Sequence, residues 1–386
     1  MKITVLGRGN AGVLTALHYS RYARYLNNPV EVELIHDNEI SPVPVGQATN
    51  LVVPQVLWDT LGTSFTNFKD LNFTEKTGIM YENWGKKNKN IWHPFPVGKS
   101  AFHFEPKEFQ DYIINSLKEV KVKNQNISYY DKIDSDYIFD CRGTPKDFSN
   151  YRELINPLNH VLLSKLPPEK DYVKWTRTIA TPDGWCFYIP LKDKISLGYN
   201  FNNKITSIKK AKENFKKLLG VEEIHNHFPY KQYVAKEPII DNRVILNGNR
   251  LFFLEPLEAT AVCSYIKWNQ MIWEWIINKK GTPLEAKTWL SNFVFQVQSF
   301  ILYHYKDGSI YNTKFWKENK KLYKKHNDLK LDEIVNYVKD KDYDYIRNTN
   351  DFEYHAKEYG PWQAWNIKLW VETYDINTIF RSFIHL

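Results

Sequence analysis

Three glycines near the start of the chain have the spacing of a diphosphate-binding loop. Gly7, Gly9 and Gly12 follow the apolar run at residues 3–6 and precede a helix pattern. In such a loop the glycines allow a tight turn, a close backbone approach to the diphosphate, and close packing of the helix on the strand. The helix start adds free N–H groups and a positive dipole end. A lone glycine pattern is weak, but this strand–turn–helix context favours a dinucleotide site.

A second strand completes a βαβ unit around this loop. The sequence predicts a helix over residues 11–26 and an apolar strand over residues 30–35. In such units an acid at the end of the second strand binds the cofactor ribose, but His36 stands there and Asp37 follows it. We therefore expect Asp37 to make the ribose contact.

Three later segments are expected to line the same cofactor site. The Pro/Gly-rich stretch at residues 42–49 looks like a loop against the cofactor. A strand at residues 137–144 ends at an Asp and a Gly, which in a doubly wound sheet lies at the carboxyl edge. The chain then breaks at residues 255–261, between a strand at 251–254 and a helix at 262–277.

Two ionisable residues have open roles when judged by residue type alone. Residues 74–84 alternate like one strand and place Lys76, Gly78 and Met80 on one face, yet a lone lysine in a strand is usually solvated. Glu258 precedes a predicted helix, where a carboxylate can simply pair with the helix dipole. Between these, residues 92–96 look like an aromatic turn, and an amphipathic helix at 104–117 looks structural.

Composition limits the possible classes of protein. The chain has 386 residues and is 43% hydrophobic, enough for a large core and two modules that share one cofactor cleft. Its three cysteines are far apart, so we expect reduced core thiols and no metal site. The net charge of +8 and the lysines at 314–325 fit a solvated helix face better than a nucleic-acid site. The 16% aromatic content leaves an aromatic ligand open.

The pattern of elements predicts an α/β (α+β) fold. Residues 1–285 would form the cofactor module, with an antiparallel substrate-side sheet inserted at about 60–100 and 161–244. Residues 286–386 would form a helical region that caps the substrate side. The chain has no apolar stretch long enough for a membrane span and begins in a core strand without a signal peptide, so we expect a cytoplasmic protein.

Five ordered segments resemble the flavin-dependent halogenases, the tryptophan-halogenase family, from Met1 to about Trp316. The glycine loop matches their FAD diphosphate loop, residues 46–49 (GQAT) resemble the GEAT loop, and residues 185–190 (WCFYIP) are similar to WxWxIP, with Phe187 for the second tryptophan. Residues 256–261 (PLEATA) stand where the family has PLESTG, and residues 300–305 with 313–316 look like its later helix and FW turn. The opening and the Asn/Lys-rich composition suggest a viral, phage-encoded member, which would work in the host cytoplasm.

The resemblance implies a flavoprotein monooxygenase-like FAD-binding fold and two catalytic residues. Lys76 stands eight residues before Trp84, at the family's spacing between its catalytic lysine and an NW pair. Glu258 stands at the active-site glutamate of the PLESTG motif, and Ala259 and Ala261 are departures from that motif.

The resemblance also assigns binding residues. The expected cofactor residues are Gly7, Gly9, Asn10, Ala11, Gly12, Asp37, Gly46, Gln47, Ala48, Thr49, Trp185, Ile189, Pro190 and Leu254. Thr260 and Ala261 would bind halide. The expected substrate residues are His93 and Phe95, which resemble the pair that sandwiches the substrate ring, and Trp362 and Asn366, spaced i,i+4 as on a helix. Glu358 is one place from the expected acid, so a smaller indole or a phenol stays open beside free tryptophan.

The implied chemistry is aromatic halogenation. FADH2 from a separate flavin reductase, with O2 and a halide, gives hypohalous acid, which is relayed to Lys76 and halogenates an indole or phenol while Glu258 polarises the oxidant or takes the ring proton. The less polar PLEATA segment predicts that bromide and iodide are used at least as well as chloride. Alternatives are an FAD-dependent aromatic hydroxylase, against which Lys76 and the Trp185 motif argue, and a non-catalytic flavin-binding protein. We expect no nucleic-acid or membrane partner and leave a homo-oligomer open.

Overall fold

The computed structural model describes residues 1–22, 30–85, 90–95, 98–326, 328–339, 359–362 and 367–368. Within them, parallel and antiparallel sheets are followed by a set of C-terminal helices, which confirms the predicted α/β (α+β) class. In this part of the chain no helix is both long enough and apolar enough to cross a membrane.

The strands of the described residues are, in chain order, β1 (Lys2–Leu6), β2 (Glu31–His36), β3 (Gln47–Ala48), β4 (Thr74–Lys76), β5 (Gly78–Glu82), β6 (Asn90–Pro94), β7 (Ala101–Phe104), β8 (Lys121–Asn124), β9 (Tyr137–Asp140), β10 (Tyr151–Glu153), β11 (His160–Leu166), β12 (Thr176–Thr181), β13 (Gly184–Pro190), β14 (Ile195–Phe201), β15 (Asn226–Pro229), β16 (Tyr233–Ala235), β17 (Ile239–Ile240), β18 (Val244–Leu246) and β19 (Phe252–Phe253).

The helices of the same residues are α1 (Asn10–Tyr22), α2 (Val52–Leu61), α3 (Pro106–Ser116), α4 (Ile208–Leu219), α5 (Thr260–Ile272), α6 (Pro283–His304), α7 (Lys314–Asn319), α8 (Leu322–His326) and α9 (Leu329–Lys339). A π-helical segment, Trp273–Ile277, continues α5. The helix predicted at 11–26 is described only to Tyr22, and residues 23–29 lie outside the described part. The helix predicted at 104–117 begins at Pro106, because Phe104 belongs to β7.

A six-stranded sheet carries the βαβ unit, in the order β17-β18-β9-β1-β2-β8. β1 pairs in parallel with both β2 and β9, and Leu6 aligns with Ile35 on one side and Asp140 on the other. The carboxyl ends of three buried strands therefore meet at one edge, where Gly7 and Asp37 follow them. This is the edge at which parallel sheets bind ligands.

A seven-stranded sheet forms the second large layer, in the order β15-β11-β14-β13-β12-β5-β6. Its pairs are antiparallel except β12 with β5, which run in parallel. The later strands of the predicted insert lie elsewhere: β16 pairs with β10 and β19, while β17 and β18 return to the six-stranded sheet beside β9. The contribution of this region to the seven-stranded sheet thus ends at β15.

The segment around Lys76 is split between two sheets. β7 pairs with β3 on one side and β4 on the other, which aligns Lys76 with Ala101 and Ala48 with His103. At Thr77 the backbone N–H donates to the Lys174 carbonyl at 2.7 Å, and β5 then joins the seven-stranded sheet. The prediction of one strand with Lys76, Gly78 and Met80 on one face is therefore wrong, because β4 and β5 have different partners.

The residues predicted as an aromatic turn form a strand instead. β6 pairs antiparallel with β5, and His93 aligns with Ile79. Gly78 lies under the Trp92 ring, and a Cβ at this glycine would come within 2.3 Å of the His93 carbonyl oxygen. The absence of a side chain at Gly78 thus allows the close approach of β6, and the turn prediction is wrong.

One buried apolar cluster runs through the described chain from Ile3 to Ile367. α6 contributes to it from Ala286 to Tyr303, and this helix begins with a capping box between Thr282 and Glu285. The three cysteines are buried and free, as predicted. The lysines of α7 and α8 are mostly exposed, which confirms a solvated face.

Candidate active site

The glycine loop is tight at two glycines and open at the third. Gly7 has a φ of +97°, and a Cβ on Gly12 would lie 1.8 Å from the Gly7 carbonyl oxygen. A Cβ on Gly9 would meet no atom within 4 Å. Beside it, Arg8 donates from Nη2 to Asp111 at 2.6 Å, while its buried Nε has no hydrogen-bond partner among the described residues. Open space at Gly9 beside a cation and a helix start fits a diphosphate.

Side-chain amides join this loop to the GQAT segment. Asn10 Nδ2 donates to Gln47 Oε1 at 2.7 Å, and Gln110 Nε2 donates to Asn10 Oδ1 at 2.9 Å. Ala11 is buried and packs against Gly248, whose added Cβ would lie 2.5 Å from the Ala11 Cβ. The structure therefore brings the predicted residues Asn10, Ala11 and Gln47 together, and it adds Gln110 from α3.

Hydrogen bonds position the predicted cofactor residues Asp37, Gly46 and Pro190. Asp37 lies just after β2, where its Oδ1 accepts from the Glu39 backbone N–H at 2.9 Å and its Oδ2 accepts from Asn126 at 2.8 Å. Gly46 donates its N–H to Ser196 Oγ at 2.9 Å. A Cβ on Gly46 would lie 3.3 Å from Ile189 Cγ2 of β13. Pro190, the next residue, accepts from Thr74 at 2.5 Å.

Of the other predicted cofactor residues, Trp185, Leu254 and Thr49 are buried, whereas Ala48 is half-buried. Trp185 is 1% exposed, and its Nε1 donates to Glu255 Oε1 at 3.2 Å. Leu254 is 7% exposed. The backbone N–H of Thr49 donates a hydrogen bond to the Phe102 carbonyl of β7 at 2.9 Å. Ala48 lies in β3, opposite His103.

Lys76 is a buried amine. It is 1% exposed, and its Nζ donates to the Thr49 carbonyl at 2.9 Å. The same Nζ lies 5.5 Å from the centre of the Phe95 ring. Burial lowers the pKa of Lys76 to about 8, while the negative charge of Glu258 acts in the opposite direction. A solvated lysine, which residue type alone favoured, is thus wrong, and the amine can exist in both forms near neutral pH.

Glu258 is a carboxylate with a side chain only 9% exposed and with polar partners from three separate elements. Its Oε1 accepts from the Tyr81 hydroxyl of β5 and lies 2.6 Å from His304 Nε2 at the end of α6. Trp362 Nε1 donates to Oε2 at 3.4 Å. Burial alone would raise the pKa of Glu258, but the interactions with His304 and the Tyr81 hydroxyl outweigh it and lower this pKa to about 2. The side chain is therefore ionised at neutral pH.

Aromatic rings surround the two ionisable groups. The Tyr81 ring lies 5.0 Å from the His93 ring, nearly edge-on, and Phe300 lies 4.4 Å from Trp362. Burial lowers the pKa of His93 to about 3, so that this ring is neutral. Trp362 lies in a short antiparallel bridge with Tyr359. Asn366 and Glu358 lie outside the described residues.

The predicted halide residues begin α5. Thr260 and Ala261 occupy its first turn, and Ala259 before them has a left-handed backbone with φ 52° and no side-chain cap. The first N–H groups of a helix have no intrahelical acceptor, and the dipole there favours an anion. Thr260 and Ala261 were predicted from the PLEATA segment, whereas the left-handed backbone of Ala259 is visible only in the structure.

Four polar residues near the site were not singled out from the sequence: Tyr81, Gln110, Glu255 and His304. Burial raises the pKa of Glu255 to about 7, opposed by hydrogen bonds from Tyr305, Trp185 and Gln232. A histidine among apolar residues at the end of a predicted helix was the available signal for His304. Among the described residues no group of His, Cys, Asp or Glu could hold a metal ion.

Comparison with known proteins identifies the family. The sequence model of the family described as "Tryptophan halogenase" matches residues 2–133 and 130–366, nearly the whole chain. The chain belongs to the tryptophan halogenase family. Its curated relatives include the tryptophan 6-halogenase SttH of Streptomyces toxytricini, which is 19% identical over 83% of this chain and 80% of that protein.

Solved structures of this family share the fold. A tryptophan halogenase from Shewanella frigidimarina superposes with a TM-score of 0.79 and 14% identity, over 100% of this chain and 90% of that one. The flavin-dependent halogenase BrvH from Brevundimonas sp. has a TM-score of 0.73 and 16% identity, over 88% of this chain and 84% of that one. The predicted FAD-binding fold class and the predicted membership of an enzyme family of tryptophan halogenases are confirmed. A viral origin stays a prediction.

Proposed function

We propose that this tryptophan halogenase family member halogenates a small aromatic compound, an indole or a phenol, with Lys76 and Glu258 as catalytic residues. The observation that carries this proposal is the buried Lys76 amine, which donates to the carbonyl of the GQAT residue Thr49 and interacts electrostatically with Glu258. A buried cation without a full counter-ion is costly, so a functional role accounts for it better than packing does.

Separate parts of the chain fit the diphosphate, the flavin and the halide. The open face of Gly9 and the start of α1 would hold the diphosphate, and residues 46–49 would lie along the flavin. Reduced FAD from a separate flavin reductase, with O2, supplies the oxidation of halide to hypohalous acid. The first-turn N–H groups of Thr260 and Ala261 would hold the halide.

Lys76 and Glu258 divide the remaining chemistry between them. A lysine whose pKa is about 8 can donate a hydrogen bond from its charged form, or act as a nucleophile from its neutral form, so either form can hold the halogen oxidant beside a ring. When the carbon–halogen bond forms, the ring carbon must lose its proton. Glu258 is a weak base, but the halogenated ring cation is a strong acid, so an ionised carboxylate suffices.

The test is a halogenation assay with matched variants. The protein is incubated with FAD, a flavin reductase, NADH, a halide and a mixed aromatic panel, and products are read by mass. Lys76→Ala should abolish the halogenated product while FAD binding and hypohalous acid formation remain. Lys174→Ala is the control, because Lys174 is exposed and pairs with Glu75 on the surface.

Three outcomes would contradict the proposal in different ways. Wild-type product rates in Lys76→Ala would remove Lys76 from catalysis. A hydroxylated product would support an aromatic monooxygenase instead. Tight FAD binding with no halide-dependent product on any aromatic would support a non-catalytic flavin-binding protein.

Halide choice forms the second part of the proposal. Ala259 and Ala261 offer no hydroxyl donor beside Thr260, so the site compensates poorly for the dehydration of a small anion. Chloride is the most strongly hydrated of the three halides, and we expect bromide and iodide to be used at least as well. A competition among equal concentrations of the three halides decides this, and a mainly chlorinated product contradicts it. Ala259→Ser with Ala261→Gly should move the product ratio toward chlorine.

A further inference from the structure

His304 is buried at the last residue of α6, and both of its ring nitrogens face oxygen atoms. Its Nδ1 lies 2.6 Å from the Phe300 carbonyl oxygen, and its Nε2 lies 2.6 Å from Glu258 Oε1. A carbonyl oxygen can only accept, so Nδ1 carries a hydrogen. If Glu258 is ionised, Nε2 must also donate, and the ring is then an imidazolium.

The surroundings of His304 favour the positive charge. The ring stands at the C-terminal end of a 22-residue helix, where the dipole favours a cation. The groups that face the Glu258–His304 pair are the Tyr81 hydroxyl, which donates to the same carboxylate oxygen, the neutral His93 and Trp362 Nε1. Lys76 is the second cation that interacts with Glu258. Among these groups Glu258 is the one anion.

We propose that His304, held as an imidazolium, is the positioning residue of Glu258: it orients the carboxylate and keeps it deprotonated for its role in the proposed halogenation. A carboxylate enclosed by Tyr81, His93 and Trp362 would otherwise take up a proton to avoid a buried charge. A protonated Glu258 could not accept the ring proton. His304 therefore acts through Glu258 and does not itself touch the substrate.

The first test reads the protonation of His304 directly and needs no enzymatic activity. Protein labelled with 15N-histidine is studied by NMR at neutral pH, and the His304 signals are assigned by their loss in His304→Gln. We expect both ring nitrogens of His304 to carry hydrogen in the wild type. In Glu258→Gln the counter-charge is gone, and one nitrogen should lose its hydrogen. A wild-type ring with only one protonated nitrogen would overturn the proposal, whether or not the protein halogenates anything.

The second test reads the effect on turnover. His304→Gln should lower kcat on the order of 10²-fold, the usual contribution of one acid–base group, with KM nearly unchanged. The acid limb of its pH–rate profile should also move to higher pH, because Glu258 then protonates more easily. A mere packing defect would lower the rate without moving that limb. His225→Gln is the control, since His225 is partly exposed and lies beside Glu223.

Discussion

At the residue scale, the amine of Lys76 shows how burial and charge oppose each other. Burial disfavours the ammonium form, whereas Glu258 and the Thr49 carbonyl favour it. The pKa of about 8 in the folded protein therefore lies below the value of 10.5 expected for an exposed lysine. Between these two values the unfolded chain binds a proton that the folded chain does not.

This difference predicts a pH-dependent stability. Because the unfolded state binds more protons between about pH 8 and pH 10.5, the wild type should gain stability as pH rises through that window. Relative to Lys76→Met, which has no amine, the wild type should gain about 2 kcal/mol between pH 7 and pH 10. Urea unfolding of both proteins at the two pH values measures it. A constant difference would mean that Lys76 keeps an ordinary pKa.

The sequence pointed to two candidate catalytic residues but not to the side chains that contact them. Lys76 and Glu258 were singled out because motif spacing survives in the chain. The negative charge of Glu258 acts on the Lys76 amine, and the catalytic roles of both residues stay predictions. Tyr81 and His304 were missed, because nothing in a linear pattern shows that residues on β5 and at the end of α6 meet one carboxylate.

At the element scale, the β1–α1 loop contains two tightly packed glycines, Gly7 and Gly12, and one glycine in open space, Gly9, which we propose lies against the cofactor. Gly9→Val adds a side chain to open space, so folding should be nearly unchanged while FAD binding is lost. Gly12→Val adds a side chain against the Gly7 carbonyl and should unfold the protein. FAD titration and thermal unfolding of both variants measure the two effects. Normal FAD affinity in Gly9→Val would remove this loop from the cofactor site.

The turn before α5 contains a strained residue. Ala259 has a left-handed backbone at φ 52°, which costs a residue with a Cβ roughly 1 kcal/mol. Ala259→Gly should therefore raise the free energy of unfolding by about 1 kcal/mol, as measured by urea titration. Ala261→Gly, inside the right-handed first turn, should lower it by up to about 1 kcal/mol. Destabilisation by Ala259→Gly would refute the strain.

Element boundaries were predicted where the local sequence pattern is strong. They were missed where a boundary depends on pairing with a segment that is distant in the chain. The βαβ unit was visible because a glycine loop and two apolar strands are consecutive in the chain. The break between β4 and β5 at Thr77 was not visible, because the Thr77 backbone bonds to Lys174, which is distant in the sequence. β6 was predicted as a turn because proline and aromatic residues are typical of turns. Its pairing with β5, which makes it a strand, is not visible in the sequence.

At the scale of the whole molecule, the predicted cofactor module and helical region share one core. Trp84, Tyr305 and Trp316 pack together, with the Trp84 and Trp316 rings 5.3 Å apart. The two regions also meet at Glu258, since Glu258 belongs to the first region and its partner His304 to the second. We therefore predict one cooperative thermal transition, in which tryptophan fluorescence and far-UV circular dichroism coincide. Two separate transitions would show that residues 1–285 and 286–386 fold independently.

The parallel pairing of β5 with β12 also has a consequence for the order of synthesis. Thr77 bonds to Lys174, which lies 97 residues further along the chain. At about 5–20 residues per second, the ribosome adds Lys174 several seconds after Thr77. During that interval β5 has an edge that its native neighbour cannot yet cover, a state in which nascent chains associate with one another. Slower translation between these two strands would therefore lengthen the time in which β5 can pair with another chain.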